Sequence, residues 1–152
     1  MSLKKILQEG RQEMLEEAVA SLRRARLEHY EKAGPNQIRQ RLSVLLDLVI
    51  AAVLERNLAP IIAHANAVAT ERFEAGVDLS EVQTAFNVME EVIWMRILKK
   101  LAASKQAEAL GLVGTVLGSA KDSLARKYVS MATQTHTPSL NLKALFLGSD
   151  SF

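Results

Sequence analysis

Apolar residues recur at intervals of three and four along nearly the whole chain, and no long stretch alternates apolar with polar residues. This spacing is typical of helices that bury one face, whereas strands repeat every two residues. Turn-forming residues divide the 152-residue chain at Gly34-Pro35, Asn57 with Pro60, Gly76 with Asp78, Ser104, and Thr137-Pro138. The sequence therefore predicts an all-α single domain, a bundle of about five helices.

The predicted helices cover about residues 2–32, 36–56, 58–75, 79 to beyond 97, and 105–133. Gly10 is a candidate interruption of the first, and Gly76 is placed to close the third in a left-handed conformation. Asp78 with Glu81 is typical of a cap that opens the fourth helix. Residues 1–137 are thus predicted to form the helical domain. Residues 138–152 are predicted to form an apolar C-terminal tail that docks on its own bundle or on a partner.

Composition excludes several kinds of site and partner. The chain has no cysteine, which excludes disulfides, thiolate metal sites and a cysteine nucleophile. Its net charge is only +2, and the densest basic run, Arg23, Arg24 and Arg26, lies among acids, so we expect no nucleic-acid partner. The most apolar window, residues 42–54, is shorter than the roughly 20 apolar residues that cross a bilayer. With no signal peptide either, the expected location is the cytoplasm.

Residues with catalytic potential are few. The sequence contains no nucleophile elbow, phosphate-binding glycine loop or zinc-binding helix motif. His29, followed by Lys32, partly matches the pattern of a histidine phosphotransfer helix. The alternative interpretation is that His29 is a cation at a helix C-terminus. His64 and His136 have no second ligand at helical spacing. We therefore expect no enzyme activity, no metal and no cofactor.

Asp47 is the one acid within an apolar helical stretch, so its carboxylate must be paired, exposed or shifted toward neutrality. We expect it to be a buried structural acid, ion-paired with Arg72 or Arg96 from a neighbouring helix. An acid catalyst would need a second titratable group in a cleft, and the sequence nominates none.

Two further sets of residues are candidates for contact with other molecules. Val88, Val92 and Met95 form a second apolar stripe on the fourth helix, which predicts a homodimer or partner face. On the fifth helix, Gly111, Gly114 and Gly118 lie along one line. Such a line favours close packing of a neighbouring helix, or alternatively a groove for a small apolar ligand.

Two sequence blocks resemble the N-terminal sensory domain of RsbR-type co-antagonists and of related bacterial sensor kinases. They are residues 41–47 (RLSVLLD) and 69–82 (ATERFEAGVDLSEV), followed by an apolar helix through Trp94 to Leu98. The resemblance covers about residues 36–105. It implies an all-helical, non-catalytic, regulatory domain of the stressosome type, with a kinase or STAS protein as partner. Haem-free globin-like sensor domains are a related expectation for the fold.

These observations predict a non-enzymatic sensory or regulatory module that acts by ligand- or partner-dependent helix packing. We expect a homodimer, formed through the second predicted helix or through Val88, Val92 and Met95 on the fourth. Two alternatives stay open: phosphotransfer through His29, and an apolar small-ligand-binding bundle. The family's usual output domain is not visible, so we expect a stand-alone regulator or a fragment of a longer protein.

Overall fold

The computed structural model describes the backbone of residues 1–139 and the side chains of residues 1–134. Over that range the protein consists of helices without strands, which confirms the all-α prediction. The helices are α1 (Leu3–Glu9), α2 (Arg11–Arg24), α3 (Glu28–Ala33), α4 (Pro35–Glu55), α5 (Ala59–Glu74), α6 (Leu79–Lys100) and α7 (Ala103–Ser139). The described residues contain seven helices instead of five because the first predicted helix is divided into α1, α2 and α3.

Two local features divide that first segment. Gly10 ends α1, and a methyl group there would collide with the guanidinium of Arg96, which reaches over from α6. The predicted interruption at Gly10 is therefore confirmed. Arg26 then adopts a φ of +50°, a left-handed conformation that ends α2. Arginine rarely adopts this conformation, so the sequence carries no signal for the second break.

The predicted turns at Gly34-Pro35 and Gly76 are confirmed by their backbone geometry, whereas α7 continues through Thr137-Pro138. Gly34 has a φ of +85°, and Pro35 is the first residue of α4. Proline is tolerated there because the first turn of a helix has no use for its missing N–H. Gly76 has a φ of +77°, and its amide donates to the Phe73 carbonyl at 3.0 Å, which closes α5 as predicted.

The helices pack around a continuous apolar core. α7 lies against α5 and α6 and also contacts α4, while α2 packs on α4 and α6. The largest fully buried side chains are Ile6, Leu7, Met14, Leu22, Leu46, Val49, Ile61, Met89, Ile93, Ile97, Leu117 and Leu124. Burial of each such side chain contributes roughly 1.5–3 kcal/mol, so this core holds the domain together.

The last helix is longer than predicted. α7 runs past the predicted end near Thr133 and past the predicted domain boundary at residue 138. The Tyr128 hydroxyl of α7 donates to the Val77 carbonyl at 2.9 Å, and its ring meets Phe73 edge-on, which fixes α7 to the turn between α5 and α6. Residues 140–152 of the predicted tail lie outside the described residues. None of the described helices is both long and apolar enough to cross a membrane.

Candidate functional site

A cleft of about 300 Å³ opens between α4, α5 and α6, and we call it the α4–α6 cleft. Its walls are mainly apolar and include Leu22, Ile38, Leu42, Leu45, Val82, Ala85 and Phe86. Val44, which also lines it, is 45% exposed. The volume lies at the lower end of the roughly 300–1,000 Å³ that is typical of small-molecule sites.

Polar groups meet at the same cleft. They are Tyr30 of α3, Gln37, Gln40 and Arg41 of α4, and His64, Glu71 and Arg72 of α5. Arg72 forms an ion pair with Glu71. Burial, together with the positive charge of Arg72, lowers the pKa of Arg41, and burial lowers the pKa of His64. Burial raises the pKa of Tyr30 to about 12. At neutral pH His64 and Tyr30 are therefore neutral, whereas Arg41 remains charged because the ordinary pKa of arginine is so high.

Glu81, at the start of α6, is the buried charged side chain in the described part of the chain, with 7% exposure. Its Oε1 accepts a hydrogen bond from the His29 backbone N–H at 3.0 Å, and its Oε2 lies 2.7 Å from His29 Nδ1. Glu81 thereby caps the N-terminus of α3 from another helix. Asp78 holds the predicted N-cap position of α6, but its side chain makes no hydrogen bond there, and Glu81 binds α3 instead.

His29 does not lie at a helix C-terminus, as one interpretation of the sequence held. α3 begins at Glu28, so His29 lies in the first turn, where its Nδ1 faces Glu81. The side chain is 36% exposed. This geometry gives His29 a structural contact between α3 and α6. Its use as a phosphoryl acceptor stays a prediction.

The prediction that Asp47 is buried is wrong. Its side chain is 57% exposed and pairs with Arg11 of α2, whose Nε lies 2.5 Å from Asp47 Oδ1. The expected partners are engaged elsewhere, since Arg72 pairs with Glu71 and Arg96 pairs with Glu13. Asp47 lies on the solvent side of α4, where it bridges to α2 without entering the core.

Only part of the predicted dimer face on α6 is exposed. Val88 and Val92 are 8% and 7% exposed and belong to the core, so they are not available to a second molecule. The buried arc of α6 is wide because α2 and α7 both pack against it. Met95 is 46% exposed, and Trp94 and Leu98 beside it are 43% and 46% exposed. We call Trp94, Met95 and Leu98 the α6 patch.

The glycine line on α7 neither packs closely nor forms the cleft. An added Cβ at Gly111, Gly114 or Gly118 meets no atom within 4 Å, and Gly111 and Gly118 are exposed. Within this chain, therefore, no neighbouring helix packs closely against the line, and a ligand groove beside it stays a prediction. None of the three glycines lines the α4–α6 cleft, which lies elsewhere in the fold.

The described side chains contain no group of three His, Asp or Glu residues arranged to hold a metal ion. The arrangement is one of apolar walls, a cationic rim and an exposed apolar patch, which serves binding. The family model of the RsbT co-antagonist protein RsbRD N-terminal domain matches residues 12–149. The chain belongs to this family. No curated protein and no solved structure matches the chain.

As an RsbRD N-terminal domain, the chain is a regulatory signalling domain, and its family is not a known enzyme family. The suspected resemblance is confirmed, and the match extends beyond residues 36–105 on both sides. A globin-like arrangement of the helices stays a prediction.

The two sequence blocks that carried the resemblance also carry much of the site in this RsbRD N-terminal domain. Residues 41–47 supply Arg41 to the cleft, and residues 69–82 supply Glu71 and Arg72 to it. Residues 69–82 also supply Glu81, which contacts His29 outside the cleft lining. Sequence reasoning missed Arg41 and Glu81 as functional candidates. The available signal was their position beside apolar residues that face the core, and that signal does not identify which polar side chain turns inward.

Proposed function

We propose that this domain is a non-enzymatic cytoplasmic module of stressosome-type signalling that acts as a homodimer through α6 and passes changes in helix packing to a kinase or STAS-type partner. The observation that carries the proposal is the α6 patch. Three large apolar side chains that are each more than two-fifths exposed lie within one and a half turns of one helix. Contiguous exposed apolar surface of this kind marks interaction sites.

The charges around the patch favour a second copy of the same chain as its occupant. Glu91 and Lys99 lie four residues before and after Met95, and neither makes an ion pair within the described residues. A two-fold axis at Met95 sets the two α6 helices antiparallel and places Glu91 opposite Lys99 of the second copy. Such an isologous interface forms each pair twice.

The neighbouring surface of α7 leaves the patch accessible. Lys121 of α7 donates to Asn87 Oδ1 at 3.0 Å, and Gln106 donates to the Leu101 carbonyl at 3.0 Å. These contacts fix the register of the antiparallel α6–α7 pair and set Trp94 about level with Gly114. Because glycine has no side chain, nothing projects from α7 beside Trp94 at this position. A second helix therefore has room to approach.

One helix connects the patch with the cleft. Val82, Ala85 and Phe86 in the N-terminal half of α6 line the α4–α6 cleft, and the C-terminal half carries the patch. Because α6 is one continuous helix, a rotation or shift of its N-terminal half also moves its C-terminal half. This supports a mechanism in which a change of helix packing alters association.

Light scattering coupled to size exclusion tests the proposal. M95E places a charge at the two-fold axis and is expected to give a monomer, while V129E, which changes an apolar residue that is 63% exposed on α7, is expected to leave the dimer unchanged. E91K and K99E each weaken the dimer about tenfold by placing like charges opposite each other twice. The double variant E91K/K99E restores the wild-type dimer because it exchanges the two charges.

Two results contradict the proposal. One is a wild-type monomer at all accessible concentrations. The other is a dimer that M95E leaves intact, which would place the interface on another surface.

A further inference from the structure

The state of Arg41 distinguishes it from the other arginines in the described part of the chain. Six of them form ion pairs with carboxylates, namely Arg11, Arg39, Arg56, Arg72, Arg96 and Arg126. Arg23, Arg24 and Arg26 form none, but they are exposed, so water solvates them. Arg41 is partly buried at the cleft and makes no hydrogen bond or ion pair there. Partial burial takes away some of the hydration of this cation, and no protein group replaces it.

The surrounding charges increase that cost. Arg72 adds a second positive charge nearby, which together with burial lowers the pKa of Arg41. Glu71 lies close enough to act in the opposite direction, but it is paired with Arg72. His64 and Tyr30, which are neutral at pH 7, and the exposed amides of Gln37 and Gln40 complete the polar lining. The cleft therefore has one positive charge in excess.

The apolar walls restrict the kind of anion that fits. Leu42, Leu45, Val82 and Phe86 supply no hydrogen-bond donors from their side chains, so a highly polar anion such as a sugar phosphate loses its hydration along these walls without replacement. A hydrocarbon or aromatic body gains from contact with those walls. A carboxylate matches the planar guanidinium with two parallel hydrogen bonds.

We propose that the α4–α6 cleft is a binding site for a small apolar monocarboxylate, with Arg41 as the residue that binds its carboxylate. The apolar part of the ligand lies against Val82 and Phe86 of α6, and neutral Tyr30 and His64 offer further hydrogen bonds to the anion. This inference goes beyond the proposed function and does not depend on it, because the cleft is formed within one chain.

Isothermal titration calorimetry of the full chain tests the site with acetate, butyrate, hexanoate, octanoate and phenylacetate. Affinity is expected to rise along the straight-chain series by about fourfold for each methylene until the cleft is filled. R41Q is expected to weaken binding of the best carboxylate on the order of tenfold to a hundredfold. R41K keeps the positive charge but lacks the two parallel N–H donors of the guanidinium. It is expected to bind more tightly than R41Q and more weakly than the wild type.

Two controls separate the site from general effects. R39Q removes a positive charge from the same helix outside the cleft, where Arg39 pairs with Glu16, and is expected to bind as the wild type does. Octanamide, which is uncharged, is expected to bind more weakly than octanoate and to be insensitive to R41Q. Circular dichroism establishes that each variant is folded.

The proposal is overturned if none of the five carboxylates binds at millimolar concentration. It is equally overturned if R39Q and R41Q weaken binding to the same extent, or if octanamide binds as tightly as octanoate. Dimerisation is measured separately by light scattering, so failure of the ligand site and failure of the proposed dimer give distinguishable results.

Discussion

The α2–α4 seam and the α3–α6 corner each join two helices through a carboxylate, but in opposite environments. At the seam, Asp47 is 57% exposed and pairs with Arg11. At the corner, the Glu81 side chain is 8% exposed and contacts both the backbone N–H and the ring of His29. Exposed pairs contribute little because water solvates either partner alone, whereas a buried acid leaves its partners unsatisfied when it is removed.

The comparison also explains why α3 exists. A helix of six residues does not form on its own, and its N-cap residue, Leu27, offers no side-chain acceptor. Glu81 supplies that acceptor from α6. α2 and α4 do not depend on a carboxylate from another helix, because both are long and share a buried apolar interface. The buried carboxylate is thus part of the local fold, and the exposed one is an addition to it.

The largest effect is expected from truncating the buried acid. E81A removes the acceptor of two contacts to His29 and is expected to lower the free energy of unfolding by about 2–3 kcal/mol. E81Q keeps a carbonyl acceptor and is expected to lose about half as much. Urea denaturation followed by circular dichroism measures both. A loss below about 0.5 kcal/mol for E81A would show that the corner does not depend on Glu81.

An intermediate effect is expected for Tyr128, which binds the α5–α6 turn close to the same corner. Y128F removes the hydroxyl that donates to the Val77 carbonyl at 2.9 Å, and is expected to cost about 1–1.5 kcal/mol of unfolding free energy. Y30F is the matched control, because the Tyr30 hydroxyl makes no hydrogen bond within the described residues. Equal losses of unfolding free energy in Y128F and Y30F would contradict a specific contribution of the Tyr128 hydrogen bond.

The smallest effect is expected at the exposed seam. D47A is expected to change the free energy of unfolding by less than about 1 kcal/mol, and added salt reduces that change further. A double-mutant cycle with R11A isolates the interaction between the two side chains. A coupling as large as the loss in E81A would remove the distinction between the two regions.

The parts of the structure that follow from local chemistry were predictable. Gly34-Pro35 and Gly76 mark turns because each requires a conformation that only certain residues adopt easily, and the structure places both turns where the sequence predicts them. The break at Arg26 was not predictable, because arginine rarely adopts a left-handed conformation and is therefore no signal for a turn. Together with the predicted interruption at Gly10, that break divides the first predicted helix into three.

The candidate site was less predictable, since it depends on which side of each helix faces a neighbour. Periodicity identified the apolar face of α6, but the width of the buried arc depends on α2 and α7, so Val88 and Val92 were assigned to the surface. For the same reason the sequence did not separate Asp47 from Glu81. Arg41 stands out only when its lack of a partner is compared with the other arginines.

The fluorescence of Trp94 tests the central claim most directly, because it is the only tryptophan in the chain and lies in the α6 patch. Dilution through the range in which light scattering detects dissociation is predicted to shift its emission to longer wavelength, as burial against the second copy is lost. M95E is predicted to show the long-wavelength emission at every concentration. An emission maximum that stays constant while the dimer dissociates would contradict the account.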